Sequence, residues 1–174
     1  AAENNVFGCG YNSDMTEQAP NAHLTAAIWH WDVYYQAAIE TAMTCGGAEN
    51  FVTEMGGNAY YAGLSEGFVD ASTLNELVAA PGTAAAMEAV RELIDSGEWD
   101  VFSGVKLNIT VDAEAGTAAV EQVDAPLMSD GYELKDGEVV EMANPEIVPA
   151  GGASVTDDVI KSGMNYNVAG VVEG

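Results

Sequence analysis

The first 45 residues place an apolar run, a polar loop, a second apolar run and a helix-like segment in that order. The first run is Val6 to Gly10, and the polar turn Asn12-Ser13-Asp14 follows it. The second run, His23 to Ile28, precedes apolar residues at helical spacing that stop at Gly46-Gly47. Because strands that alternate with helices are typical of α/β proteins, this order predicts a β-loop-β-α unit, with Asp32 as the helix cap.

The chain continues in the same way as far as Trp99. Ala59-Tyr60-Tyr61-Ala62 and Gly67-Phe68-Val69 are rich in aromatic and β-branched residues, which predicts two strands. Thr83 to Ser96 carries apolar side chains on one helical face, and Gly97 follows it. This segment therefore predicts a second helix.

The pattern changes after Trp99. Leu107 to Val111 and Ala118 to Val123 flank a turn-rich segment, and Asp130-Gly131 and Asp136-Gly137 each lie beside a short apolar run. These features predict hairpins. Thr156 to Gly163 is expected to form a short helix, because acidic side chains in a first turn complement the helix dipole.

The net charge of the chain argues against several kinds of binding partner. The chain has 28 acidic and 4 basic side chains, a formal net charge of −24, while 48% of its residues are apolar. Phosphate binding needs clustered Lys or Arg, so we expect no nucleic acid partner, and anionic membranes are disfavoured for the same reason. Abundant carboxylates keep a folded protein soluble where salt screens their repulsion, so we expect a salt-rich habitat.

Two cysteines and the amino terminus give further constraints. Cys9 and Cys45 allow one disulfide or two small buried thiols, and their spacing fits no zinc or thioredoxin pattern. The first six residues lack the pattern of a secretion signal, so we expect a mature or truncated piece.

The motifs for catalysis and metal binding are incomplete. Gly63 to Gly67 matches the G-x-S-x-G nucleophile elbow, but both histidines, His23 and His30, precede Ser65, so a turn is the better interpretation. The two histidines lack a third strong ligand, and we expect surface or capping roles for them. Asp112 to Gly116 fits a hairpin turn better than a calcium loop. The sequence therefore predicts no enzyme activity, no metal and no cofactor.

A polar loop and two tryptophans form the remaining candidate site. Asn12 and Asp14 follow the first predicted strand, while Trp29 and Trp31 end the second. Ligands of open α/β sheets bind beyond the carboxyl ends of the strands, where aromatic rings stack on planar molecules and short polar side chains orient them. The alternative is that one tryptophan packs in the core and the other on the following helix.

Several segments together resemble the basic-membrane-protein family, which comprises extracytoplasmic solute-binding lipoproteins of ABC importers, with members that bind purine bases or nucleosides. The similarity runs in order from Phe7 to the carboxyl end and is strongest before Trp99. Its motifs are Gly10-Tyr11-Asn12-Ser13-Asp14-Met15, Ala19-Pro20-Asn21-Ala22-His23-Leu24-Thr25-Ala26, Trp29-His30-Trp31-Asp32 with Tyr34-Tyr35, Gly63-Leu64 with Gly67, and Tyr166-Asn167-Val168.

The resemblance implies an α/β fold of the periplasmic-binding-protein type (type I), with doubly wound lobes joined by crossing strands. Family members are about twice as long as this chain, which resembles their carboxyl-terminal half. Residues 1–100 would form most of one lobe, and the hairpin-rich residues 101–174 would return to the other. Either the sequence is a fragment or a separate polypeptide supplies the missing half.

The resemblance also implies roles for four residues. The family's first loop acid falls at Asn12, with Asp14 as the second acid, and a lysine of nucleoside-binding members falls at Trp29. Tryptophan in that place favours stacking on a flat base. Gly63 aligns with a segment that lines the family's ligand cleft.

Two functions of different classes follow as expectations. The first is an extracytoplasmic, periplasmic or membrane-anchored, component of an ABC importer. It would bind a purine-like molecule through Asn12, Asp14, Trp29 and Gly63, and would dock on the membrane subunits of the importer. The second is a structural or assembly subunit whose exposed strand edges pair with other chains.

Overall fold

The computed structural model describes residues 2–4 and 6–171. The outer ends of the two predicted segments, residues 1–100 and 101–174, therefore lie outside the described residues. The fold mixes 24% helix with 30% strand, as expected for an α/β protein. The chain divides into two compact units, residues 1–84 and residues 85–174, called unit 1 and unit 2 below. The predicted segments 1–100 and 101–174 refer to a two-lobed protein and stay a prediction.

Unit 1 contains a three-stranded sheet in the order β1-β2-β3. Its strands are β1 (Gly8–Asn12), β2 (His23–Trp29) and β3 (Val69–Ala71), with β1 parallel and β3 antiparallel to β2. The helices are α1 (Trp31–Thr44) and α2 (Phe51–Glu54), and a 3-10 turn covers Ala2–Asn4. The predicted β-loop-β-α order is therefore confirmed.

The ends of α1 differ from the prediction at one point. Asp32 was expected to cap the helix, but His30 occupies the cap position without a side-chain hydrogen bond, and Asp32 lies in the first turn. There its carboxylate still complements the positive end of the helix dipole. At the other end α1 ends at Thr44, and Gly46 follows in a left-handed conformation with φ +74°.

The predicted strand at Ala59 to Ala62 is wrong, because this segment forms an irregular loop. Tyr60 packs its ring on Tyr34 and Phe68, so the apolar pattern reflects ring packing rather than strand pairing. The strand predicted at Gly67 to Val69 is displaced, since β3 begins at Val69 and Gly67 has a left-handed φ of +71°.

Helix α3 (Thr83–Asp95) confirms the second predicted helix. Unit 2 then has two sheets. Strands β4 (Val105–Asp112) and β5 (Thr117–Asp124) form a two-stranded antiparallel ribbon. Strand β6 (Leu127–Lys135) pairs with β7 (Glu138–Glu141), β8 (Glu146–Val148) and β9 (Tyr166–Val168). A short helix with a π-helical part at Val159–Gly163 matches the predicted helix near the carboxyl end.

One of the two predicted Asp-Gly turns is correct. Asp136 and Gly137 have φ values of +53° and +84° and join β6 to β7. Asp130 and Gly131 instead lie inside β6, where Gly131 has φ +93°. A glycine inside a strand often marks a bulge, so the residue pair bends β6 rather than ending it.

Few large side chains are buried. The buried apolar residues are Ala22, Ala26 and Phe68 in unit 1, and Leu127 and Val148 in unit 2. Cys9 and Cys45 are free thiols, so they form no disulfide. Cys9 is exposed and Cys45 is half-buried. Within residues 2–4 and 6–171, no helix has the length and apolar character needed to cross a bilayer.

Candidate functional site

The parallel pairing of β1 and β2 brings two of the predicted site residues to one sheet edge. Asn12 ends β1 and lies opposite Ile28, and Trp29 ends β2 one residue later. Asn12 has φ +73°, a left-handed conformation that asparagine adopts more readily than most residues, and its side chain is exposed. Asn12 and Trp29 therefore lie at the same carboxyl edge of the β1–β2 pair.

Trp29 belongs to an aromatic cluster. Its ring stacks on Trp31 with a centroid distance of 5.9 Å and an interplanar angle of 27°. Phe68 meets it edge-on at 5.3 Å, and Tyr11 does so at 6.3 Å. The cluster consists of Tyr11, Trp29, Trp31, Tyr34, Tyr35, Tyr60 and Phe68.

Exposure rises from the centre of the cluster to its rim. Phe68 is 3% exposed, Trp29 is half-buried, and Trp31 and Tyr11 are 48% and 72% exposed. The sequence left open whether the tryptophans stack on a ligand or pack inside the protein. Each ring packs within the cluster, and Trp31 also faces solvent. The rim offers aromatic surface that a flat molecule can cover.

Gly63 lies behind Phe68. Its carbonyl accepts the Phe68 amide at 3.1 Å, and its own N–H donates to Oε2 of Glu66 at 2.6 Å. This hydrogen bond, together with one from Ser65, lowers the pKa of Glu66 from its ordinary value of 4.5. Gly63 therefore supports the aromatic cluster through its backbone, and the serine of the nucleophile-elbow motif sits in this exposed turn.

Asp14 faces a different part of unit 1. Its Oδ1 accepts the Thr16 hydroxyl at 2.6 Å and the Thr16 amide at 2.8 Å, which lower the pKa of its carboxyl. The same oxygen lies 3.3 Å from Nε2 of His23. His23 is the first residue of β2, about 20 Å from Trp29 at the rise of an extended strand. The structure thus brings Asn12, Trp29 and Gly63 near one sheet edge and holds Asp14 beside His23.

His23 is a residue whose role sequence reasoning missed. We expected a surface or capping histidine, but it is 5% exposed. Its backbone carbonyl accepts Nδ2 of the buried Asn75 at 2.9 Å, while its ring contacts Asp14 and the Met15 amide. The one sequence signal is Gly10, since a Cβ there would lie 3.1 Å from the His23 ring.

An open groove adjoins His23. Its volume is about 860 Å³, and Asp14 and Thr16 form one wall while residues 73–77 form the other. Asn75 ties the second wall to the carbonyls of Pro20 and His23. The lining combines the carboxylates of Asp14 and Glu76 with the apolar side chains of Leu74 and Leu77, and nothing in the sequence pattern predicts the groove.

In the described part of the chain, no three His, Cys, Asp or Glu side chains are grouped so that they could hold a metal ion. Comparison with known proteins adds no family assignment, since no protein-family model matches this chain. No curated protein matches it either.

Proposed function

We propose that unit 1 binds a small, planar, polar molecule such as a purine base or nucleoside at the sheet edge formed by Asn12 and Trp29. In this proposal the chain is the extracytoplasmic solute-binding component of an ABC importer. The observation that carries the proposal is the parallel β1–β2 pair, which ends in an exposed amide and a half-buried indole at the same edge.

The chemistry of the edge favours a flat ligand. Tyr11 keeps exposed ring surface beside Trp29, and base–aromatic stacking contributes about 1–3 kcal/mol per base. The Asn12 amide can both donate and accept hydrogen bonds, which suits the polar edge of a nucleobase. Asp14 lines the open groove next to His23. It therefore contributes to the Asn12–Trp29 site only if the loop of residues 13–22 rearranges.

The charge of unit 1 narrows the ligand class further. All four cationic residues, Arg91, Lys106, Lys135 and Lys161, belong to unit 2. A phosphate group bound in unit 1 would therefore find no Lys or Arg of that unit to pair with. We expect bases and nucleosides, rather than nucleotides, to bind.

The resemblance to the basic-membrane-protein family supports the wider role. Under that proposal unit 1 is part of one doubly wound lobe of a type I periplasmic-binding-protein fold, and a separate or missing segment completes the other. Closure of two lobes over the ligand would create the shape that the membrane subunits recognise.

Tryptophan fluorescence can test the binding site directly. We expect adenine, guanine and their nucleosides to quench the emission saturably, while ribose and adenosine monophosphate do not. Tyr11→Leu removes an exposed ring and should weaken base binding about 3- to 10-fold, since tenfold corresponds to about 1.4 kcal/mol. Tyr132→Leu, which removes a 53% exposed tyrosine from unit 2, is the control.

Trp29→Leu should abolish the stacking contribution, and circular dichroism would verify that the variant is folded. Unchanged affinity for every base in both the Tyr11 and Trp29 variants would exclude this sheet edge as the site. Quenching by the monophosphate alone would contradict the charge argument.

A second candidate, an assembly subunit, is favoured by the exposed surface. Large apolar side chains in both units are well exposed, among them Met43 at 81%, Leu77 at 83% and Val139 at 73%. Exposed apolar surface of this kind is what an interface between chains covers. Many identical copies without a retained small molecule in native mass spectrometry would favour this candidate.

A further inference from the structure

Helix α1 carries a ridge of large apolar side chains on its solvent face. The four residues recur at every fourth position, which places them in one row along the helix surface. We call this row the α1 ridge. Its members are Trp31, Tyr35, Ile39 and Met43, which are 48%, 58%, 61% and 81% exposed.

The opposite side of α1 already has partners. Tyr34 packs on Tyr60, and Val33 and Ala37 are half-buried. Trp31, at one end of the ridge, also stacks on Trp29 of the sheet, whereas more than half of Tyr35, Ile39 and Met43 is exposed to solvent. Exposed apolar side chains scattered singly are ordinary, but a continuous row of this size marks an interaction surface.

The area of the α1 ridge matches a specific interface. A large side chain buries about 150–250 Å² when it is fully covered, so the exposed parts of these four amount to roughly 500 Å². Two such ridges facing each other would remove roughly 1,000 Å² from water, which is about the minimum for a specific protein–protein interface.

We propose that a second copy of this chain covers the α1 ridge, with the two α1 helices packed antiparallel about a two-fold axis. Such an axis would pass beside the middle of the helix and place Trp31 against Met43 of the other copy, and Tyr35 against Ile39. Rows at i and i+4 interdigitate with the same rows of a facing helix, so one ridge is complementary to itself.

The residues around the α1 ridge carry few charges, which favours an apolar contact with another copy over binding to a cationic protein. The only ionisable side chains of α1 are Asp32 and Glu40, apart from the tyrosines, and Glu40 already accepts Nε2 of Gln36 at 2.9 Å. The ridge itself has no carboxylate for a cation to pair with. Because unit 1 contains no Lys or Arg, two copies repel at low salt and associate more strongly as salt screens that repulsion.

Sedimentation equilibrium of the full chain in 0.1, 1 and 3 M KCl tests the proposal. We expect a monomer–dimer equilibrium whose dissociation constant falls at least tenfold between the lowest and highest salt. Ile39→Glu places a carboxylate in the centre of the ridge and should raise the dissociation constant at least 30-fold. Leu77→Glu, the same charge change at an 83% exposed residue of unit 1, is the control and should leave it within about threefold.

The ridge residues are exposed in the monomer, so their substitution should not unfold it, and Met43→Glu near the helix end provides a second variant. A monomer at every salt concentration would overturn the proposal, as would dimers that persist in both ridge variants. Association that weakens with salt would indicate attachment through opposite charges instead. Ile39 lies two helical turns from Trp31, so base binding by the Ile39 variant distinguishes this proposal from the solute-binding function.

Discussion

Asn12 combines a left-handed backbone with a side chain at the candidate binding edge. Residues other than glycine and asparagine adopt this conformation at a cost of about 1–2 kcal/mol. Asn12→Ala should therefore lower the free energy of unfolding in urea by about 1 kcal/mol, while Asn12→Gly should leave it within about 0.5 kcal/mol.

The glycine variant also separates folding from binding. It keeps the backbone and removes the amide, so base affinity should fall although stability does not. Equal stability of the alanine and wild-type proteins would show that the left-handed conformation costs nothing here.

Protonation of the Glu66 carboxylate should report on the turn that supports Phe68. Because the Gly63 amide lowers the pKa of Glu66 below 4.5, the charged carboxylate stabilises the turn fully above that pH. The contribution is lost as the pH falls through the lowered pKa. We expect the Gly63 amide resonance to shift in an NMR titration with a midpoint below pH 4.5, and not to do so in Glu66→Gln. The same shift in that variant would assign the transition to another carboxylate.

At the level of single residues, sequence reasoning placed Asn12 and Trp29 correctly at strand ends and Asp14 in the loop after β1, but it did not show that Asp14 contacts His23. Strand-end positions follow from local pattern, because parallel strands end at a common edge. The position of Asp14 depends on a loop that folds back onto the buried His23 ring. That contact joins a loop residue to the first residue of β2, and no local period encodes it.

Among the elements, those with a complete local signal were predicted best. The α3 helix has a clear apolar period, the β4–β5 hairpin has two apolar runs around a glycine turn, and α1 is a long run of residues that stops just before Gly46. The strand at Ala59 to Ala62 failed because side-chain propensity cannot show whether a neighbouring strand is available for pairing. The Asp130-Gly131 turn failed because the same residue pair also suits a bulge.

The β4–β5 ribbon provides an element-scale prediction. It pairs with no other strand among the described residues, and an isolated two-stranded ribbon is marginally stable in water. Oδ1 of Asp112 accepts the amides of Glu114 and Ala115 at 3.0 Å, which holds the connecting turn.

Asp112→Ala should lower the free energy of opening of the ribbon amides by about 1 kcal/mol, as measured by hydrogen exchange. Glu114→Ala changes the same turn without removing the acceptor and should have little effect. Equal exchange rates in the two variants would show that Asp112 does not hold the turn.

At the scale of the whole chain, a small buried core coexists with an extreme negative charge. The formal charge of −24 includes only four cations, so carboxylates repel one another across the surface. That repulsion opposes the compact state, and the few buried apolar side chains leave little stability to offset it. Salt should therefore stabilise this protein, whereas salt weakens a surface held by exposed ion pairs.

We expect the midpoint of urea unfolding to rise steeply between 0.1 and 1 M KCl. The screening length falls over this range from about 10 Å to about 3 Å, which removes most of the repulsion between neighbouring carboxylates. Screening is then nearly complete, so a further increase from 1 to 3 M reports instead on the burial of apolar surface, which excluded salts strengthen. Measurement at protein concentrations well below dimer formation separates both effects from association. A midpoint that is flat or falls with salt would show that the acidic surface does not limit stability, and would remove the physical basis for a salt-rich habitat.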